Sequence, residues 1–425
     1  MLYLNKLREE SFNIIILNNL MIIYCISLLL SYKISGTIFY IMLVIFLLNN
    51  NLKSYFIESL NNKIIQAFIL YFLLHAFWVI GSENLENALF QLRKNIILLS
   101  PILFYPIIRK EYIEKIFLCF VIVIFFSSIL SILMYFDLIQ VNNTISGESI
   151  AFLYKSDYGF FLLIAIGYSF YNFYYIKKEL LVKKIFFLFC IIFLSFNIFI
   201  IGSRTFMLIY FVAITFLILS VYRKHIFKAI IFIIVIINLL FVIYLNNNEI
   251  KNQIDDIFNG LNKSYYEKEY SSSSGVRAGL IEYSIPVIKD NFFFGVGTGD
   301  HIDEVKKQIQ KSSDYETEKD DKYKFLLKSI NIGYSSFLHN TYIQTLVQFG
   351  LVGFIIWINM FYQIIRVEKS KILYNKLTIY IVIVYLSMCI AGAELMYQNL
   401  GKMLLLIFSL LIYNKKFEIL NRNRI

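Results

Sequence analysis

The chain alternates long apolar runs with short polar connections. Runs of roughly 15 to 22 mostly apolar residues have the length at which an α-helix crosses the hydrocarbon core of a bilayer. They fall near 13–31, 35–49, 64–80, 95–108, 116–136, 151–176, 185–202, 205–221, 227–245, 340–362, 377–396 and 401–414. The pattern predicts an all-α polytopic membrane protein with about twelve transmembrane helices. One long break interrupts the rhythm, dividing the chain into helices over 1–245, a loop domain over 246–338, and the last helices with a tail over 339–425. Inside the loop, Val276, Leu280, Ile281, Ile285 and Ile288 recur near helical spacing. Pro286 is expected to end or kink that helix. Residues 311–324 are polar and predict a solvated stretch.

Composition agrees with a lipid environment: 59% of residues are hydrophobic and only 16% charged, a balance foreign to ordinary soluble domains. The formal net charge of +11 raises the question of a nucleic-acid partner, but the distribution of the cations answers it. Lys6 and Arg8, Lys53 and Lys63, Arg109 and Lys110, Lys177 to Lys184, Arg223 to Lys228, Arg366 to Lys376, and Lys415 to Arg424 occupy every second connection. By the positive-inside rule both termini lie in the cytoplasm and the long loop on the opposite side. No nucleic-acid partner is expected. Cys25, Cys119, Cys190 and Cys389 all sit in apolar runs without CxxC spacing, which argues against disulfides and structural zinc. With no HExxH or Walker pattern, neither a metal nor another cofactor is expected. The first run lacks a small-residue cleavage site and reads as an anchor.

A few polar residues stand out against this background. Arg204, in Gly202-Ser203-Arg204-Thr205, lies in an almost loopless hairpin on the non-cytoplasmic side. It either snorkels to the interface or ligates an anion there. Arg277 opens the loop helix after Ser274-Gly275-Val276, as a solvated residue or as a second anion ligand. His339, in His339-Asn340-Thr341-Tyr342, begins the tenth run, and its imidazole can take a proton near neutrality. Helical spacing puts it on a stripe with Ile343, Leu346, Gly350, Gly353 and Trp357, the glycines allowing close approach of another helix. Gly295-Val296-Gly297-Thr298-Gly299 lacks the flanking strand and helix of a nucleotide site and reads as a tight turn. Lys155 and Asp157 are two apart and do not face each other on a helix. With Glu394 they are ionisable groups at the outer membrane boundary. Arg93 and Lys94 are expected to add positive potential to the same pocket. His75, His225 and His301 read as isolated.

Three of these segments, in this order, resemble the bacterial O-antigen ligase and polymerase superfamily. They are Gly202-Ser203-Arg204-Thr205, Arg277 followed by the Gly295–Gly299 turn, and His339-Asn340-Thr341-Tyr342 running into Gln348-Phe349-Gly350-Leu351-Val352-Gly353. Gln348 departs from the pattern, which commonly has an acid there. The resemblance implies a glycosyltransferase-C-like membrane fold whose one large periplasmic loop contains helices, in a multi-pass protein of the bacterial inner membrane. It implies a metal-independent enzyme that takes a glycan from undecaprenyl diphosphate, with lipid A-core as acceptor for a ligase and another glycan repeat unit for a polymerase. The ligase reading is preferred, the polymerase is the alternative, and a lipid-linked glycan transporter is the third reading. On this resemblance His339 is the catalytic base, Arg204 and Arg277 bind the diphosphate, and Arg93, Lys155, Asp157, Glu394 and Asn340 are supporting candidates.

Overall fold

The computed structural model describes residues 10–139, 153–177, 179–246, 248–312, 321–330, 337–366, 372–392 and 398–413. Among these the chain is helical, with no strand. In chain order the first helices are α1 (Glu10–Leu30), α2 (Tyr32–Leu47), α3 (Leu52–Leu60), α4 (Lys63–Phe77) and α5 (Leu85–Asn95). A tight helical turn (Ile96–Leu99) leads into α6 (Ser100–Ile107), followed by α7 (Lys110–Tyr135), α8 (Lys155–Tyr175), α9 (Leu181–Ile200), α10 (Arg204–Tyr222) and α11 (Ile226–Asn246). The long break contains α12 (Asn248–Tyr266), α13 (Ser273–Asp290), α14 (His301–Lys311) and α15 (Asp321–Ile330). The chain returns through α16 (Thr341–Arg366), α17 (Ile372–Cys389) and α18 (Gln398–Tyr413).

The described part of every apolar run lies mainly on a helix, because a backbone without water must satisfy its own hydrogen bonds. Among the described residues, five helices are long and apolar enough to cross a membrane, or six if α2 and α3, bent by 110°, form one span. Shorter apolar helices occupy Lys63–Phe77, Ile226–Val235, Leu373–Cys389 and Asn399–Ile412. The run near 95–108 is divided, and Pro101 sits where α6 begins, the one helical position where its missing N–H costs nothing. Pro286 is accommodated inside α13, which continues to Asp290. The expected end of that helix is thus corrected: contacts with α12, α14 and α16 hold α13 through the missing hydrogen bond.

Helix α8 is the axis of the bundle. Residues 157–169 are all buried, and α7, α9, α10 and α17 pack around it. Two glycines permit this crowding. A Cβ on Gly159 would lie 2.5 Å from the Phe206 ring of α10, and one on Gly167 would lie 2.1 Å from the Tyr380 ring of α17. The polar groups around Tyr158 are satisfied. The Tyr158 hydroxyl lies 2.9 Å from Ser128 Oγ and 3.0 Å from Asn197 Oδ1, and Asn197 Nδ2 donates to the Ser128 carbonyl. The loop helices have a core of their own, in which Tyr270, Val276, Leu280, Ile302, Val305, Leu326 and Ile330 meet Leu338 and Val347 of the returning chain.

The loop is also locked to the bundle through a break in α16. Gly350 has φ +62° and ψ −160°, so α16 is two helices joined at that residue. The chain after α13 fills the gap: Val296 N–H donates to the Val347 carbonyl, Gly297 N–H to that of Gln348, and Leu351 N–H to that of Phe292. The continuous stripe expected from His339 to Trp357 is therefore interrupted. Gly350 admits the loop backbone, while Gly353 faces Phe349 and Leu74 of α4. A Cβ at Gly350 would lie 2.4 Å from the Phe293 carbonyl carbon, and one at Gly295 would lie 2.5 Å from that of Gln348. Gly350→Ala is expected to cost at least about 2 kcal/mol from the left-handed backbone and the collision together. The check is the midpoint of thermal unfolding in detergent; an unchanged midpoint would show that the loop and α16 are not interlocked.

Candidate functional site

Where the loop helices meet α8 and α10, they enclose a cavity of about 930 Å³. Lys155, Arg204 and Arg277 all line it, together with Gly202, Ser203, Asp256, Lys263, Glu267, Glu269 and Ser271 to Ser273. The route from sequence to this convergence is short. Gly202, at φ +61°, turns the chain sharply from α9 into α10 and leaves Arg204 as the first residue of α10. Phe206, two residues on, seats against Gly159, four residues after Lys155, the first residue of α8. The Gly159 contact thus brings the starts of two helices side by side. Arg277 comes from the second turn of α13, whose start is capped by Ser272 Oγ accepting the Gly275 N–H.

A cation on the first residue of a helix sits where the helix dipole is already positive. Lys155 and Arg204 both do so, and neither Tyr154 nor Ser203 caps its helix with a side-chain hydrogen bond. The result is two helix N-termini and four basic side chains, Lys155, Arg204, Lys263 and Arg277, around one space, the elements of an anion site. The counter-charges are incomplete. Arg204 Nη2 donates to Asp256 Oδ2 at 2.8 Å, and Lys263 pairs with Glu269. Neither Lys155 nor Arg277 makes an ion pair with a described residue. Arg277 Nε is buried without a hydrogen-bond partner among the described residues. Burial, and then the charge of Arg204, hold the Arg277 pKa below its ordinary value. It remains a guanidinium at any physiological pH.

His339 does not line this cavity, but it stands within electrostatic reach of Arg277. Its pKa is pushed down to about 4, by burial first and by Arg277 second. The ring packs on Phe337, with centroids 4.3 Å apart. The backbone at φ +53° is left-handed, a conformation that costs a non-glycine residue energy and must be imposed by its surroundings. Three contacts impose it. Asn340 Oδ1 accepts the Ile343 N–H and caps α16; Gln344 Oε1 accepts the Leu338 N–H; and Gly392, where a Cβ would lie 3.0 Å from His339 Cα, presses from the turn after α17. Gln344 and Gly392 carried no sign of this role in the sequence, because each acts through a tertiary contact.

The other candidates are placed as follows. Asp157 is buried in the first turn of α8 and is not among the residues lining the cavity. Arg93 and Lys94 line a different groove, with Lys402, so the expectation that they share the arginine cavity is corrected. Both cations come from the last turn of α5 and face α2 and α18. Glu394 lies outside the described residues. Gln348 is buried, with Nε2 unpartnered among the described residues, while its carbonyl receives the Gly297 N–H.

The Gly295–Gly299 turn is a clamp, since its amides are committed to the protein. Thr298 N–H donates to the Trp78 carbonyl and Thr298 Oγ1 to that of His75. Next to it, Asp300 accepts from Ser82 Oγ, Glu83 N–H and Asn84 N–H at 2.7, 3.0 and 2.8 Å. His75 and His301, expected to be isolated, are both fully buried around this clamp. Burial is the main cause holding the His301 pKa down at about 4, with His75 adding to it.

This architecture is that of a multi-pass helical membrane protein with a cavity lined by basic residues where a helical loop meets the bundle. A protein-family model described as O-antigen ligase matches residues 187–358, the stretch containing Arg204, Arg277, the glycine turn and His339. Over that stretch the chain is similar to the O-antigen ligase family. Members of the family are membrane glycosyltransferase-like enzymes, ligases or polymerases, acting on lipid-linked glycans. No curated protein matches the chain.

Two outcomes follow from the electrostatics. Arg277→Gln removes a positive neighbour, so the His339 pKa is expected to rise from about 4 toward the ordinary histidine range; an NMR titration of ring-labelled histidine measures it, and an unmoved value would separate the two groups. Asp256→Asn is expected to change stability by less than about 1 kcal/mol, because the Arg204 and Asp256 side chains are 35% and 60% exposed. The same variant should bind inorganic pyrophosphate more tightly by calorimetry; weaker binding would mean that Asp256 orients Arg204 instead of competing for it.

Proposed function

We propose that the protein is an O-antigen ligase, transferring a glycan from undecaprenyl diphosphate to lipid A-core at the periplasmic face of the bacterial inner membrane. One observation carries this reading: Arg204, Arg277 and Lys155 surround a single cavity, two of them at uncapped helix starts, with His339 within reach of the Arg277 charge. A diphosphate leaving group gains negative charge as its bond to the sugar lengthens, and fixed cations stabilise that charge most when it is largest. Guanidiniums also match phosphate oxygens with paired N–H donors.

In this mechanism the donor diphosphate displaces Asp256 from Arg204 and lies between Arg204 and Arg277. His339 accepts the proton of the acceptor hydroxyl. The hydroxyl oxygen attacks the anomeric carbon from the face opposite the diphosphate, the new C–O bond forms as the bond to the diphosphate oxygen breaks, and the configuration inverts. A histidine with a pKa of about 4 is a weak base. The bound donor changes this, because its negative charge offsets Arg277 and raises the basicity of His339 when the acceptor is in place. The enzyme thereby couples base strength to donor occupancy.

His339→Ala is expected to lower glycan transfer about 10²–10⁴-fold, the range for a positioned general base. Arg204→Gln or Arg277→Gln should each lower it about 10²–10³-fold, as loss of a contact to a developing anion does. A lipopolysaccharide gel of a deletion strain complemented with each variant reads both. The ligase reading predicts bare core with polymerised glycan retained on the carrier lipid. Core bearing a single repeat would identify a polymerase, and full-length ladders with His339→Ala at normal expression would remove the base from the mechanism.

A further inference from the structure

A second cavity lies away from the arginine site, between α2, α3, the Ile96–Leu99 turn and α6, and has a volume of about 650 Å³. Its walls are apolar and aromatic, with Phe39, Leu43, Phe46 and Phe56 on one side and Ile97 and Leu103 on the other. Three cations line it as well: Arg93 and Lys94 from the last turn of α5, and Lys402 from the start of α18. No acid is among the lining residues. Arg93 and Lys402 make no ion pair with any described residue. Lys402 lies within an apolar helix flanked by the buried Gly401 and Met403, where an ammonium is costly unless it meets an anion. A further polar group points the same way. Ser100 lines the cavity and is 4% exposed, and its Oγ has no hydrogen-bond partner among the described residues.

Apolar walls, an excess of positive charge and a buried unpartnered hydroxyl together describe an amphiphile: a hydrocarbon chain with an anionic, hydrogen-bonding head. From this juxtaposition we infer that the groove is a binding site for an anionic phospholipid of the surrounding membrane, its phosphate held by Arg93, Lys94 and Lys402 and one acyl chain laid along Phe39, Leu43 and Leu103. Its charge decides the occupant: a zwitterionic lipid brings an ammonium of its own into a space that already holds three cations, whereas phosphatidylglycerol brings a phosphate with no counter-charge. Bound there, the lipid ties α2, α5, α6 and α18 together, helices that share this groove and not the arginine cavity. The inference does not depend on the transfer reaction, since no residue of the groove lines the arginine cavity.

The test is native mass spectrometry of the full chain, delipidated in detergent and incubated with phosphatidylglycerol, with phosphatidylcholine, and with phosphatidylglycerol in competition with undecaprenyl phosphate. The wild type is expected to retain phosphatidylglycerol over phosphatidylcholine. The variant Arg93→Gln/Lys94→Gln/Lys402→Gln should bind it roughly 100-fold more weakly, at about one order-unity surface contribution per cation. Leu43→Trp fills the apolar part, leaves all three charges, and should also lose the lipid, which covers the case in which the triple variant fails to fold. Arg204→Gln/Arg277→Gln should keep the binding intact. The inference is overturned if the folded triple variant binds like the wild type, if phosphatidylcholine binds equally well, or if undecaprenyl phosphate displaces phosphatidylglycerol from the groove.

Discussion

Positive charge gathered against its own repulsion is the constraint on which the arginine cavity rests. Arg204 lies close enough to Arg277 to depress its pKa, and Arg277 does the same to His339. Helix dipoles at the starts of α8 and α10 add to the strain instead of relieving it. Asp256 and Glu269 offset part of this charge through Arg204 and Lys263, and rigid packing holds the remainder in place. The packing is visible in Gly159 against Phe206, in the satisfied Tyr158–Ser128–Asn197 network, and in the independent core of the loop helices. An anion entering the cavity relieves repulsion that the fold has already imposed, so affinity and charge stabilisation come from the same preorganisation.

The loop must be fixed relative to the bundle for this to work, because Arg277 belongs to one and Arg204 to the other. Two devices fix it. The broken helix α16 accepts the backbone of residues 292–297 at Gly350, and the Asp300 carboxylate binds the turn between α4 and α5 with three hydrogen bonds. His339 sits between the loop core and the first half of α16, held in a left-handed conformation by Asn340, Gln344 and Gly392. His339, the loop arginine and the bundle arginine are thus three parts of one rigid frame.

Much of the helical architecture was legible along the chain because membrane helices announce themselves locally: each needs its own apolar run, and each run is written in consecutive residues. Arg204 stood out for the opposite reason, as a cation out of place in an otherwise regular charge pattern, and Arg277 by its position at the start of a loop helix. What could not be read is what depends on residues far apart in sequence. Trp78 Nε1 meets the Phe294 carbonyl across 216 positions, and nothing near either residue foretells it. The break at Gly350 was hidden because glycine at that point serves a helical stripe and a helix break equally well. Arg93 lines a different cavity from the one expected because membrane side alone does not fix which helices a cation faces; that is set by packing between segments far apart in sequence.

The central claim is spatial, and it is tested most directly by an electron cryomicroscopy map of the full chain in lipid nanodiscs with undecaprenyl diphosphate bound. The account predicts density for the two phosphates between Arg204 and Arg277, within hydrogen-bond distance of both guanidiniums, with Asp256 turned away from Arg204. Diphosphate density elsewhere, with the Arg204–Asp256 pair intact, would contradict it.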